Sequence, residues 1–194
     1  MKGKSYIVLL LAGLLSLSAC KPVRYIEQTI FPEKYTLAWE ERYGQCYDSV
    51  PYSVVALDLY SDGLTLDSVH RMQGTGYNLY LSDIFVAAGS DSLQVGTYTS
   101  IPQDSLSSFT FHLSPFTFLP GRDYEGTPHG IYLLYIENGK LQSIQLFNSG
   151  TMVVSDTTNG LKDLHFTLHY RNANNADVTY ETHFQGHLQP WVRQ

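Results

Sequence analysis

Two histidines and a glutamate near the C-terminal end are the residues best placed to do chemistry. Residues 161–170 and 178–188 alternate apolar and polar side chains, which is typical of an antiparallel hairpin with one solvated face. Pairing Tyr170 with Val178 sets His165 opposite His183, with Glu181 diagonal to His165. Directly opposed residues have Cβ atoms about 5 Å apart, close enough for two imidazoles to share a metal ion. A slip of two residues would set His165 against Glu181 instead. The simpler interpretation, which we favour, is that these polar side chains only cover a solvated face.

The two tryptophans, Trp39 and Trp191, could bind a glycan. A sugar ring stacks its C–H bonds on an exposed indole face, and Trp191 follows Pro190 near the C-terminal end. The alternative, which we favour, is that both tryptophans pack in the core or along a sheet edge, because tryptophan is highly buried on average.

The sequence holds no recognisable catalytic or cofactor motif. The HExxH, CxxC, GxSxG and P-loop patterns are missing, and Gly74-Thr75-Gly76 lacks the third glycine of a dinucleotide-binding loop. Asp58, Asp62 and Asp67 surround Gly63, but their spacing differs from that of an EF-hand loop. A Ser-His-Asp triad is left open, although nothing singles out a nucleophile. We therefore predict no catalytic residue and no cofactor.

The first twenty residues predict where the protein works. Lys2 and Lys4 precede Tyr6 to Leu17, an uncharged, mostly apolar run that suits a signal peptide and is shorter than the ~20 residues of a membrane-spanning helix. Leu17-Ser18-Ala19-Cys20 follows and resembles the lipobox of bacterial lipoproteins. We predict cleavage after Ala19 and attachment of lipid, including palmitate, to Cys20. The alternative is an ordinary secretory signal with an accidental cysteine.

Cys46 is the second of two cysteines. Lipidation of Cys20 would leave it without a partner for a disulfide within the chain. Its flanking residues supply no base or imidazole to activate a thiol, so we predict a buried, unreactive side chain.

Charge and composition limit the classes of protein to which this chain can belong. The net charge is −6, and loss of the two signal-peptide lysines would make it −8, so nucleic-acid binding is not expected. Fifteen tyrosines and nine phenylalanines favour a β-rich exported domain over a disordered chain. We predict a signal peptide at 1–19, a lipidated N-terminus and tether at 20–32, and one domain at 33–194.

Short apolar or alternating runs separated by turn residues predict an all-β fold of roughly eight to ten strands, either an antiparallel β-sandwich or a barrel-like sheet. Asn138-Gly139 between two apolar runs predicts a hairpin. Residues 33–43 have a composition that favours a short helix. The remaining strands are predicted at 52–60, 76–88, 93–99, 109–119 and 151–155.

Three short elements carry a resemblance. They are Gly74-Thr75-Gly76, the run from Leu93 to Thr99 (LQVGTYT), and the closing strand with Phe184-Gln185-Gly186-His187-Leu188. With the lipobox, their order resembles small, mostly uncharacterised envelope lipoproteins of Bacteroides-type bacteria. The resemblance implies an all-β, sandwich-like domain at the outer membrane and supplies no catalytic residues. Such proteins often have acidic residues after the lipidated cysteine when they reach the outer face of the membrane. Here Lys21-Pro22-Val23-Arg24 follows instead, so both the surface and the periplasmic face of the outer membrane stay as alternatives.

The predicted function is therefore that of a cell-envelope lipoprotein that binds a protein or glycan, or serves in assembly, rather than catalysing a reaction. Two alternatives remain. One is a carbohydrate-binding accessory lipoprotein, and the other is a metal-dependent or hydrolytic envelope enzyme.

Overall fold

The computed structural model describes residues 31–47, 51–104 and 113–191, and in these ranges it contains sixteen strands and no α-helix. The all-β prediction is confirmed. The strand count exceeds eight to ten because several strands are pieces of two to four residues. In chain order the strands are β1 (Lys34–Tyr35), β2 (Leu37–Gly44), β3 (Ser53–Tyr60), β4 (Leu64–Leu66), β5 (Met72–Gly74), β6 (Gly76–Val86), β7 (Gly96–Ser100), β8 (Thr117–Phe118), β9 (Arg122–Tyr124), β10 (Thr127–His129), β11 (Ile131–Glu137), β12 (Lys140–Leu146), β13 (Ser149–Asp156), β14 (Lys162–Arg171), β15 (Asp177–Gly186) and β16 (Leu188–Trp191).

Twelve strands form one large curled sheet. Its hydrogen-bonded neighbours run β1-β15-β14-β13-β7-β8-β6-β3-β2-β16, and the β11–β12 hairpin joins beside β6. Most pairs are antiparallel, but β1 with β15, β16 with β2, and β7 with β8 are parallel. The path begins with the pair β1-β15 and ends with the pair β2-β16. Because β1 continues into β2 and β15 continues into β16, both pairs are formed by the same two chain segments. The sheet therefore curls back on itself and is barrel-like.

The segment from Lys34 to Gly44 is extended, so the prediction of a short helix at 33–43 is wrong. Ala38 is fully buried in the main core, whereas its neighbour Trp39 packs on the other side of the sheet. β2 lies between β3, which is antiparallel to it, and β16, which is parallel. Pairing on both edges outweighs a helical composition that had only about one turn of apolar face to support it.

Both predicted hairpins are confirmed. Asn138 and Gly139 have φ values of 51° and 71°, as the two central residues of a type I′ turn require. In the closing hairpin Tyr170 pairs with Val178 and His165 with His183. The apolar face of this hairpin points into the core, where Leu164, Phe166, Leu168 and Phe184 are at most 2% exposed.

β3 is buried on both faces, and this explains its nearly continuous apolar sequence. On the inner face, Leu57 and Leu59 belong to the main core. On the outer face, Val54 packs in one small cluster with Phe85, and Tyr60 packs in another with Leu64 and Ile136. The outer surface between these two clusters is left to polar and aromatic side chains.

Candidate functional site

A row of four side chains crosses the outer face of the sheet between the two small clusters. Trp39 on β2 is opposite Asp58 on β3, Asp58 is opposite Tyr80 on β6, and Tyr80 is opposite Tyr132 on β11. Glu41 lies on the same face of β2, two residues beyond Trp39. The pairing of four strands thus brings two carboxylates and two tyrosines to one surface.

Asp58 is a buried carboxyl group, with 8% of its surface exposed. It accepts hydrogen bonds from the Tyr60 hydroxyl and from the Asn78 side-chain amide, one on each oxygen. Burial raises the pKa of Asp58 to about 6, although both hydrogen bonds act in the opposite direction, and the charge of Glu41 adds to the rise. The group is sealed from solvent and remains partly protonated near pH 6.

Two tyrosines beside Asp58, Tyr80 and Tyr132, are held as neutral phenols. The Tyr43 hydroxyl donates to the Glu41 carboxylate and lies 3.5 Å from the Tyr80 hydroxyl. The Tyr80 and Tyr132 rings have centroids 5.2 Å apart and are inclined at 35°. Burial raises the pKa of Tyr132 to about 12, with further contributions from Asp58 and Glu41, and burial also raises the pKa of Tyr80.

These tyrosines line a cavity of about 300 Å³, here called the tyrosine pocket. Its wall consists of Tyr43, Cys46, Val54, Tyr80, Ser82, Asp83, Pro128, His129 and Tyr132. Three of these residues are tyrosines, and Ser82, Asp83 and His129 supply polar groups. A concave aromatic surface with a few polar groups is typical of small-molecule sites.

A β-bulge in β6 shapes the polar part of the tyrosine pocket. The register with β3 shifts between Val55 and Leu57, and Asp83 has a φ of 54°, unusual for a residue other than glycine. Asp83 accepts a hydrogen bond of 2.7 Å from the Tyr47 hydroxyl. Ser82 accepts one of 2.8 Å from the Gly130 amide, which ties the bulge to the start of β11.

Sequence reasoning missed this pocket. In the sequence, Asp58 stands out only as one of three aspartates around Gly63. The structure separates them, because Asp62 stays in its turn, where it accepts a bond from the Gly63 amide, and Asp67 binds the backbone and side chain of Arg71. The available signal was a carboxylate inside the apolar run VVALDLY, which indicates a buried polar network.

The predicted histidine pair is present in the described hairpin. The His165 and His183 rings are nearly parallel, at 19°, with centroids 5.8 Å apart, and Glu181 is opposite Thr167. His165 Nε2 lies 3.2 Å from an Asp163 carboxylate oxygen, and the His165 side chain is 61% exposed. Across the described ranges, no three His, Cys, Asp or Glu residues are grouped to hold a metal ion. A metal site at His165 and His183 therefore stays the less favoured alternative to a solvated face.

The two tryptophans lie in contact, with ring centroids 5.4 Å apart and planes at 75°. Both are partly buried, and the His70 ring packs 4.3 Å from Trp191. Trp39 also packs against the outer cluster around Tyr60, and its Nε1 is buried without a hydrogen-bond partner among the described residues. The geometry is that of edge packing rather than of a flat, open platform.

The structure describes one of the two cysteines, Cys46. Cys20 lies outside the described residues. Cys46 is exposed, so the prediction that it is buried is wrong. It lies in the segment after β2 and reaches the rim of the tyrosine pocket, where partial burial and the nearby charge of Asp83 raise the pKa of its thiol.

Comparisons with protein-family models, with curated proteins and with solved structures found no match to this chain. None of the described residues forms a helix long and apolar enough to cross a membrane.

Proposed function

We propose that this chain is a bacterial cell-envelope lipoprotein, anchored through Cys20, whose all-β domain is a non-catalytic binding module. Support for the anchor is the lipobox-like Leu17-Ser18-Ala19-Cys20 after an apolar run of signal-peptide length. Support for binding comes from the tyrosine pocket, a cavity of about 300 Å³ with aromatic and polar walls. Such a domain would act at the membrane surface, held there by the lipid.

Three features of the tyrosine pocket favour binding over catalysis. Asp58, the carboxyl group with the raised pKa, is sealed beneath the surface with a hydrogen bond on each oxygen. The Ser82 hydroxyl accepts a bond from the Gly130 amide, which holds it in a structural role. The raised pKa of the Cys46 thiol disfavours the thiolate form that a nucleophile needs.

The anchor is tested by metabolic labelling with palmitate in a bacterial host. The wild type and Cys46→Ala should both incorporate label, whereas Cys20→Ala should incorporate none and should be released or misprocessed. Cys46→Ala is the matched control because it removes the other cysteine. Label retained by Cys20→Ala would overturn the assignment.

A second candidate function is carbohydrate binding, for which Trp191 is the candidate residue, since its ring is only partly buried beside Trp39 at the end of β16. Its test is a glycan-array screen of the full-length protein in non-ionic detergent. Loss of a signal in Trp191→Ala but not in Tyr132→Ala would locate the glycan at the tryptophans, and the reverse would locate it in the tyrosine pocket. If no glycan is bound, this second function is rejected.

A further inference from the structure

We infer that Asn159 is a site of spontaneous modification, where the side-chain amide is lost and the turn between β13 and β14 gains a negative charge. Only two asparagines in the chain, Asn138 and Asn159, are followed by glycine. Glycine has no side chain to hinder attack by its own backbone nitrogen, so Asn-Gly is the dipeptide at which this reaction meets the least obstruction. The two turns are held in different ways, and this difference selects Asn159.

The reaction consumes only water. The Gly160 backbone nitrogen loses its proton and attacks the side-chain amide carbon of Asn159. A new C–N bond closes a five-membered succinimide ring, and the side-chain nitrogen leaves as ammonia. Water then opens the ring at either carbonyl, which gives aspartate in one case and isoaspartate in the other. Both products carry one more negative charge than asparagine, and in isoaspartate the main chain runs through the side-chain carbon.

The turn at Asn138 is fastened to another part of the chain. The Gly139 amide, which would be the attacking group, donates a hydrogen bond of 2.8 Å to the Gly74 carbonyl oxygen. The Asn138 amide donates one of 3.0 Å to the Thr75 hydroxyl. A Cβ placed on Gly139 would lie 3.1 Å from the Met72 carbonyl oxygen, so the turn packs closely against β5. To free the Gly139 nitrogen, the turn must separate from this strand.

The turn at Asn159 closes on itself. The Gly160 amide donates a hydrogen bond of 3.0 Å to the Thr157 carbonyl oxygen. Thr157 and Leu161 are joined by two further bonds, one between their backbones and one from the Leu161 amide to the Thr157 hydroxyl. A Cβ on Gly160 would meet nothing within 4 Å. These bonds all lie within 157–161, so opening of the hairpin tip frees the Gly160 nitrogen while the rest of the sheet stays paired.

Solvent exposure does not distinguish the two sites, because Asn138 and Gly139 are exposed just as Asn159 and Gly160 are. What differs is the free energy needed to release the glycine amide. Opening of a loop tip costs little, whereas separation of packed elements costs a larger share of the global stability. Asn159 is therefore the reactive asparagine of the native protein, and Asn138 is protected by its contacts with β5.

The test is incubation of the full-length protein in non-ionic detergent at mildly alkaline pH, in water enriched in heavy oxygen. Trypsin separates the two sites, since Asn138 falls in peptide 123–140 and Asn159 in peptide 141–162. Mass spectrometry measures the conversion of each peptide, and fragmentation locates the heavy oxygen and distinguishes isoaspartate from aspartate. Asn159 should convert at least about tenfold faster than Asn138 and give both products.

The same chain unfolded in urea is the reference, because there both asparagines have free glycine nitrogens and should convert at similar rates. Gly160→Ala should slow the conversion of Asn159 at least tenfold, since its Cβ hinders the attack, while Asn138 keeps its rate. Gly126→Ala is the matched control. Gly126 also has a positive φ and open surroundings, and its replacement should leave both rates unchanged.

Three outcomes would overturn the inference. The first is an Asn159 that stays intact in the native protein, and the second is an Asn138 that converts there as fast as Asn159. The third is conversion of Asn159 at the wild-type rate in Gly160→Ala, which would exclude the succinimide route. None of these outcomes bears on the lipid anchor or on the tyrosine pocket.

Discussion

At the scale of single residues, Asp58 is a carboxyl group that the fold holds away from water between Tyr60 and Asn78. Its pKa rises from 3.8 to about 6, so the native state holds the proton more tightly than the unfolded chain does. The resulting stabilisation is fully present below pH 4 and is lost as the pH rises through 6. This difference in pKa corresponds to roughly 3 kcal/mol of stability.

The first prediction is therefore that the free energy of unfolding falls between pH 4 and 6 and that Asp58→Asn removes most of this fall. Asparagine stays neutral and keeps an oxygen to accept from Asn78. Urea unfolding at several pH values, monitored by tryptophan fluorescence, measures the free energy of unfolding. Asp62→Asn, in an exposed turn, is the control and should keep the wild-type dependence of the unfolding free energy on pH. If the unfolding free energy of Asp58→Asn falls with pH as steeply as that of the wild type, other titrating groups cause the fall.

The hairpin histidines allow a second prediction. A metal that binds two neutral imidazoles would stabilise the fold by about 1.4 kcal/mol at ten times its dissociation constant. We expect no shift in the thermal melt with zinc, copper or nickel at neutral pH, because the described residues around His165 and His183 provide no grouped third ligand. A shift seen in the wild type and lost in the double variant His165→Ala, His183→Ala would contradict this expectation.

At the scale of elements, the features that could be predicted from sequence were those set by neighbouring residues. The Asn138-Gly139 turn and the register that places His165 opposite His183 follow from local turn chemistry and alternation. The strand at 34–44 could not be predicted, because β16, one of its partners, comes from the far end of the chain. For the same reason the tyrosine pocket was missed, since Tyr80 meets Tyr132 only when β6 pairs with β11.

The third prediction compares two glycines near the start of β11. Gly126 and Gly130 have φ values of 80° and 73°, so alanine at either position costs about 1 kcal/mol or more in backbone strain. A Cβ at Gly130 would also lie 2.0 Å from the Pro120 carbonyl oxygen, whereas at Gly126 it would meet nothing within 4 Å. Gly130→Ala should therefore lower the urea midpoint clearly more than Gly126→Ala. Equal losses would show that the backbone around Pro120 yields at little cost.

At the scale of the whole molecule, packing of the described domain begins at Phe31. Its ring lies between 5.1 and 6.4 Å from the rings of Tyr77, Phe147, Tyr170 and Tyr180. The next residue, Pro32, accepts hydrogen bonds from the Tyr180 and Thr182 hydroxyls. These contacts fix the start of the domain to its closing hairpin.

The fourth prediction is that Phe31→Ala lowers the free energy of unfolding by roughly 2 kcal/mol or more, through loss of aromatic burial. Tyr124→Ala, which removes a side chain from a residue that is 59% exposed, should change it by less than about 0.5 kcal/mol. Chemical unfolding of the full-length protein in detergent measures both. If Phe31→Ala is as mild as the control, the aromatic contacts of Phe31 contribute little to stability.

The parallel pairing of β1 with β15 also constrains the order of events during biosynthesis. The hydroxyl groups of Tyr35 and Tyr180 lie 3.0 Å apart although the two residues are separated by 145 positions in the chain. The ribosome therefore has to deliver nearly all of the strands before β1 has a partner, and contacts between such distant residues form slowly. Until β15 has emerged, β1 has no strand to pair with and the curled sheet stays open along this seam.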